Sequence, residues 1–72
     1  MPEKLPVVSG KETIKALVKM GFEVRMGRGD HVVLKKDHRV FVVPLHGTLK
    51  KGTLRKILKQ AEISVEEFNH FL

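Results

Sequence analysis

The sequence predicts an α+β fold: a small two-layer sandwich with the element order α-β-β-β-α and a short C-terminal helix. Two observations support this prediction. Apolar residues recur at helical spacing near both ends of the chain. Between them, apolar and polar residues alternate over residues 22–26, as they do in strands, and two further short apolar segments follow at residues 31–36 and 39–43. The chain has 72 residues, which is enough for one small domain. We therefore expect residues 1–72 to form a single domain.

The first helix is predicted over residues 10–20, after an extended leader with two prolines. Ser9 is a typical N-cap residue, and Glu12 three residues later completes a capping box. Apolar residues follow at helical spacing, and Gly21 is a typical C-terminal stop.

Three strands are predicted next, at residues 22–26, 31–36 and 39–43. The segment Gly27-Arg28-Gly29-Asp30 is expected to form the first turn, because two closely spaced glycines can supply positive φ angles. Asp37-His38 is a two-residue connection, which predicts a tight hairpin between the last two strands.

One face of the sheet must pack against the helices. The residues expected on that face are Phe22, Val24, Val32, Leu34, Val40 and Val42. The residues expected on the opposite face are Arg25, His31, Val33, Lys35 and Phe41. Because so small a protein has no second layer to cover that face, Val33 and Phe41 are predicted to form a surface for a partner.

The second helix is predicted over residues 51–61. A short third helix follows, with Ser64 and Glu67 as a second capping box. The complete order is that of a double-stranded-RNA-binding-domain-like fold.

The positive charge is concentrated in one segment. The chain has 14 Lys and Arg against eight Asp and Glu, a net charge of +6, and residues 47–61 hold five of the bases and none of the acids. A concentrated positive field favours a polyanionic partner, either nucleic acid or an anionic lipid surface. The alternative is a solvated basic face that only keeps the protein soluble.

Several function classes are excluded or disfavoured by composition. The chain contains no cysteine, which excludes disulfides, zinc sites built on thiolates and cysteine nucleophiles. No apolar run approaches 18 residues, so we expect a cytoplasmic protein without a membrane span. A zinc site from His31, His38 and His46 is disfavoured, because their spacing matches no common metal pattern. We expect no cofactor.

The histidines are the acid–base candidates at neutral pH. His31 starts the second strand directly after the glycine-rich turn, whereas His38 lies in a hairpin and His70 in an acidic tail. Cleavage of RNA by its own 2′-hydroxyl needs one base and nearby cations, so one histidine among lysines is sufficient for it.

Two segments carry a family resemblance, VVSGKETIKALVKMGFEVRMGRGDHVVLKK and PLHGTLKKGTLRKILKQAEISVEEF. They resemble the HicA toxins, the mRNA interferases of HicA–HicB toxin–antitoxin systems, and the resemblance covers residues 5–71. It implies a single HicA-like domain with a double-stranded-RNA-binding-like fold, which acts as a ribosome-independent endoribonuclease on mRNA and is inhibited by a HicB-like antitoxin. We separately expect the free protein to be a monomer. The family's histidine corresponds to His31.

The chain departs from the family pattern at two positions. Gly29-Asp30-His31 stands where the family has Gly-Ser-His, and a carboxylate beside the imidazole is expected to favour its protonated form and to repel phosphate. Glu62 replaces the usual glycine after the second helix, where a left-handed cap costs a non-glycine residue about 1 kcal/mol.

The basic residues expected to bind RNA are Lys50, Lys51, Arg55, Lys11, Lys15 and Arg28. Lys50 and Lys51 precede the second helix, so their charge adds to the positive end of its dipole. The general acid stays open between His46 and a lysine. Two alternatives to the nuclease are a catalytically silent RNA-binding module of the same fold and an inert half of a protein complex that acts through Val33 and Phe41.

Overall fold

The computed structural model describes residues 4–72, apart from the side chain of Met26. The elements are α1 (Gly10–Lys19), β1 (Glu23–Arg28), β2 (His31–Lys36), β3 (Arg39–Pro44), α2 (Lys51–Ala61) and α3 (Val65–His70). The strands form one antiparallel sheet in the order β1-β2-β3. The α+β class and the α-β-β-β-α order are therefore confirmed. No helix within the described residues is long and apolar enough to cross a membrane.

Both predicted capping boxes are present and explain where α1 and α3 begin. The Ser9 hydroxyl accepts a hydrogen bond from the Glu12 backbone N–H at 3.0 Å, and the Ser9 N–H donates to the Glu12 carboxylate at 2.9 Å. Ser64 and Glu67 repeat the pattern at 3.0 and 3.1 Å. Each box satisfies two backbone donors that a helix start leaves without partners.

The end of α2 is tied to the turn between β2 and β3. Glu62 adopts the left-handed conformation expected at this cap, with φ 59° and ψ 40°. Its carboxylate lies 2.9 Å from Nε2 of His38, a hydrogen-bond distance. His38 therefore has a structural partner, as its place in the hairpin suggests.

Arg39 fastens the same hairpin to α2. Its Nη1 donates to the Ala61 carbonyl at 3.0 Å, and its Nη2 lies 3.3 Å from the Asp37 carboxylate. The guanidinium also lies over the Phe22 ring, 5.6 Å from the centroid. The side chain is only 17% exposed. These contacts hold β3 beside α2 at one end of the helix.

The predicted faces of β3 are wrong. Phe41 and Val43 are buried in the core, at 3% and 0% exposure, whereas Val40 and Val42 are 55% and 44% exposed. The reason is the register, which places Leu34 opposite Phe41. Residues directly opposite each other share a face of the sheet, and Leu34 is buried.

Phe41 is therefore not part of a partner surface. Its ring packs edge-to-face against Phe22 with 5.4 Å between the centroids, inside the core. Val33 remains on the outer face, half-buried and opposite Val42. Val24, expected inside, is 54% exposed because β1 is an edge strand and the helices pack mainly over β3.

Candidate functional site

His31 is the first residue of β2, and its side chain is exposed. Its neighbours across the sheet are Arg28 on β1 and Pro44 on β3. Because directly opposite residues have their Cβ atoms about 5 Å apart, the Arg28 and His31 side chains start next to each other on the sheet. Two separately predicted site residues, Arg28 and His31, are thus paired in the sheet.

A β-bulge determines how Arg28 and His31 meet. β1 extends to Arg28, so the turn consists of Gly29 and Asp30 alone and is shorter than predicted. The register shifts between Arg25 and Arg28. Gly27 lies in this bulge against the backbone of β2, where a Cβ atom would lie 2.1 Å from the His31 carbonyl oxygen. Only glycine permits this approach, and it sets the position of the His31 backbone.

The opposite side of His31 is fixed by the end of β3 and the start of α1. The Leu45 N–H donates to the Asp30 carbonyl, which continues the β2–β3 ladder past Pro44. The Gly10 N–H donates to the His46 carbonyl at 2.9 Å. A Cβ atom on Gly10 would lie 1.9 Å from the Pro44 oxygen, so α1 starts in direct contact with β3. His31 is thereby exposed on a firmly held part of the backbone.

A groove of about 520 Å³ runs between β3 and α2, and His31 lies on its border. The sheet side includes His31, Val42 and Pro44, and the α2 side includes Thr53, Lys56 and Gln60. The three α2 residues share one helix face because they are three and seven positions apart. Ile57, which is buried, holds that face against the sheet.

The groove is positively charged. Among the described residues, none of its lining side chains is a carboxylate, and Lys56 supplies an ammonium group. Asp30 precedes His31 in the chain, but the two form no ion pair within residues 4–72. Across the same part of the chain, the His31 imidazole has no intramolecular hydrogen bond. Its ring nitrogens are therefore available to a ligand.

Most of the predicted RNA-binding residues lie outside the groove. Lys50 is the N-cap of α2 and Lys51 its first residue, and both are exposed. Arg55 is exposed on α2 but does not line the groove. Lys15 borders a second cleft between α1 and the two ends of the described chain. Lys11 is exposed on α1. Of the predicted RNA-binding residues, Arg28 is the one that is paired with His31 in the sheet.

The sequence interpretation missed Lys56, Thr53 and Gln60. It placed the RNA on basic residues at and near the start of α2, namely Lys50, Lys51 and Arg55. The face of α2 that borders the sheet is instead the one next to Ile57. A helical wheel centred on Ile57 places Thr53, Lys56 and Gln60 beside the buried face, so it could have identified them.

The other histidines are placed differently. His46 is exposed in the loop after β3, and its carbonyl receives the Gly10 N–H. The His70 ring packs edge-to-face against Phe71 at 5.4 Å. Within residues 4–72, no three His, Cys, Asp or Glu side chains are gathered so that they could hold a metal ion.

Fold and site together define a class: a small basic α-β-β-β-α domain, similar in layout to double-stranded-RNA-binding domains, with an exposed histidine beside a cationic groove. The sequence model of one family, described as "HicA toxin of bacterial toxin-antitoxin", matches residues 10–63. The match covers most of the chain, and the protein belongs to the HicA toxin family. Membership implies a toxin role and an antitoxin partner. A search of curated proteins found no match.

Proposed function

We propose that this protein is the toxin of a type II toxin–antitoxin system and a metal-independent endoribonuclease that cuts mRNA in the cytoplasm. The observation that carries the proposal is His31, an exposed imidazole without an intramolecular partner in the described chain, between Arg28 and a groove that contains Lys56. Cleavage by the 2′-hydroxyl needs a general base that can reach the substrate and cations that stabilise the negative charge of the phosphorane.

In the proposed reaction His31 acts as the general base. It takes the proton of a ribose 2′-hydroxyl, and the oxygen then attacks the adjacent phosphorus. The bond from phosphorus to the 5′-oxygen of the next nucleotide breaks, which leaves a 2′,3′-cyclic phosphate and a 5′-hydroxyl. The leaving oxygen receives its proton from a general acid, for which His46 and a lysine are both candidates. The phosphorane carries extra negative charge, which nearby cations stabilise.

The remaining predicted cations are proposed to hold the RNA backbone. Lys50, Lys51 and Arg55 add their charge to the positive end of α2, and Lys11 and Lys15 extend the basic surface along α1. Replacing both Lys50 and Lys51 by alanine is expected to weaken RNA binding. The slope of log affinity against log salt should fall by about 0.7 for each lost phosphate contact. An unchanged slope would contradict the assignment of these two lysines.

The antitoxin partner is proposed to be a HicB-like protein with an acidic surface, which complements the net charge of +6. It would cover His31 together with the outer sheet face around Val33. The free toxin is proposed to be a monomer.

The experiment compares two histidine variants on RNA in the presence of a chelator. His31→Ala is expected to lower the cleavage rate by about 10²–10⁴, because that is the usual contribution of a general base. His70→Ala is the matched control, since this residue is exposed on α3, outside the groove. Circular dichroism checks that both variants fold. Cleavage by His31→Ala at the wild-type rate would refute the role of His31.

The silent RNA-binding module is tested in the same assay with Asp30→Ser. Binding without cleavage by the wild type, with cleavage restored by serine, would support the silent module. Cleavage by the wild type supports the nuclease, in line with the lack of an ion pair between Asp30 and His31 in the described chain. Failure to bind RNA at low salt would point instead to an inert half of a protein complex.

A further inference from the structure

We propose that the groove between β3 and α2 binds one unstacked nucleotide of single-stranded RNA, with Lys56 on its phosphate and Gln60 on the edge of its base. The inference rests on the proposed function and adds two residues to it that sequence patterns did not identify. It also assigns to the groove a part in choosing the cut site.

The size and the two walls of the groove fit a nucleotide. Its volume of about 520 Å³ lies within the roughly 300–1,000 Å³ of small-molecule sites. Val40, Val42 and Pro44 form an apolar wall on the sheet side, and both valines are exposed. A flat base can lie against such a wall only if it has left its stack, because the bases of an RNA duplex are covered by their neighbours. The occupant is therefore an unpaired nucleotide.

Lys56 is the cation placed to meet the phosphate of that nucleotide. It follows Thr53 by three residues on the face held by buried Ile57. The described residues give its ammonium group no ion pair, and no lining side chain in that part of the chain is acidic. His31 lines the same groove, so a phosphate held by Lys56 shares that groove with the imidazole. Lys56 is thus placed to stabilise the phosphorane.

Gln60 is the group placed to read the base. It lies one helical turn beyond Lys56, about 6 Å along the axis. Its amide offers both a donor and an acceptor, which suits the edge of a base. Within the described chain the amide has no intramolecular hydrogen bond, so both groups are free for a ligand.

The first test compares Lys56→Gln with Lys59→Gln. The two variants lose the same charge from the same helix, but Lys59 does not line the groove. In single-turnover cleavage at saturating RNA, Lys56→Gln is expected to lower the rate by about 10² or more, as the loss of a transition-state donor does. Lys59→Gln is expected to change it less than about threefold, since it removes only a general electrostatic contribution. Equal rates for the two variants would overturn the assignment of Lys56.

The second test asks which bases flank the cut. Gln60→Ala is expected to change the base preference at one position beside the cleaved bond on RNA of random sequence. Asn69→Ala, which removes an exposed amide on α3, is the control and should leave the preference unchanged. A preference that is the same in all three proteins would show that Gln60 does not read a base.

A binding arm separates this inference from the proposed function. The probe is a short RNA carrying 2′-O-methyl groups, which binds but cannot be cut. If the wild type cuts no RNA but Lys56→Gln binds the probe at least fivefold more weakly than Lys59→Gln, the nuclease proposal fails and the groove stands. If cleavage depends on His31 but both lysine variants behave alike, the groove fails and the nuclease stands. If the wild type neither cuts RNA nor binds the probe, both proposals fail.

Discussion

Replacing Arg39 by methionine tests whether this residue fastens the β2–β3 hairpin to α2. Methionine keeps most of the apolar stem but removes every polar contact of the guanidinium. We expect the variant to fold with a lower free energy of unfolding, because Arg39 is mostly buried and bonds to the last residue of α2.

The magnitude follows from the separate contacts of Arg39. The hydrogen bond to the Ala61 carbonyl is charge-assisted and contributes about 1.5–3 kcal/mol. The contact with the Phe22 ring adds about 0.5–1 kcal/mol. The pair with exposed Asp37 contributes little. An opposing effect comes from Nε, which is buried without a hydrogen-bond partner in the described chain and costs about 1 kcal/mol or more. The expected net loss in Arg39→Met is about 1–2 kcal/mol.

The assay is urea unfolding followed by circular dichroism, together with the melting temperature. A loss of about 1–2 kcal/mol corresponds to a fall in Tm of roughly 5–15 °C for a domain of this size. Arg25→Met is the control, because Arg25 is exposed and its ion pair with exposed Glu23 is long, at 3.7 Å. It should change stability by less than about 0.5 kcal/mol. An Arg39→Met variant as stable as the wild type would refute the reasoning, since desolvation of the guanidinium would then cancel its contacts.

Two further predictions concern backbone positions. Gly10→Ala should destabilise the protein by about 1–3 kcal/mol, because the new Cβ collides with the Pro44 backbone. Gly52→Ala is the control: its Cβ would have open space around it, so it should be neutral or stabilising by about 0.5 kcal/mol. Comparable losses of Tm in both variants would contradict the contact between α1 and β3. Glu62→Gly should raise the free energy of unfolding in urea by about 0.5–1 kcal/mol, because glycine adopts the left-handed cap without strain. The increase should be larger in a His38→Ala background, because there the substitution no longer removes the contact between His38 and Glu62. A net loss in both backgrounds would show that the cap is not strained.

The helix starts could be predicted because their determinants are local. The Ser9–Glu12 and Ser64–Glu67 boxes are complete within four residues, and both are present. The left-handed cap at Glu62 is also present, but it was expected from the family resemblance, in which a glycine stands at this position. The contacts of Arg39 with α2 join residues far apart in the chain, and no local pattern indicates them.

The faces of β3 were predicted wrongly because four successive apolar residues carry no alternation. The tight hairpin contained the missing information. A two-residue connection places Lys36 opposite Arg39, which in turn places Leu34 opposite Phe41. Two glycines also suggested a longer turn before His31, whereas Gly27 belongs to a bulge that depends on close contact with β2. The groove was missed for a related reason, because its α2 wall is set by how buried Ile57 packs.

The chemistry at the cut ends tests the central claim most directly. If the His31 imidazole removes the 2′-hydroxyl proton, every upstream fragment ends in a 2′,3′-cyclic phosphate and every downstream fragment begins with a 5′-hydroxyl. An RNA with a single 2′-deoxy sugar at the preferred site should then resist cutting there. Fragments with 5′-phosphates, or full cleavage at the deoxy position, would contradict the mechanism.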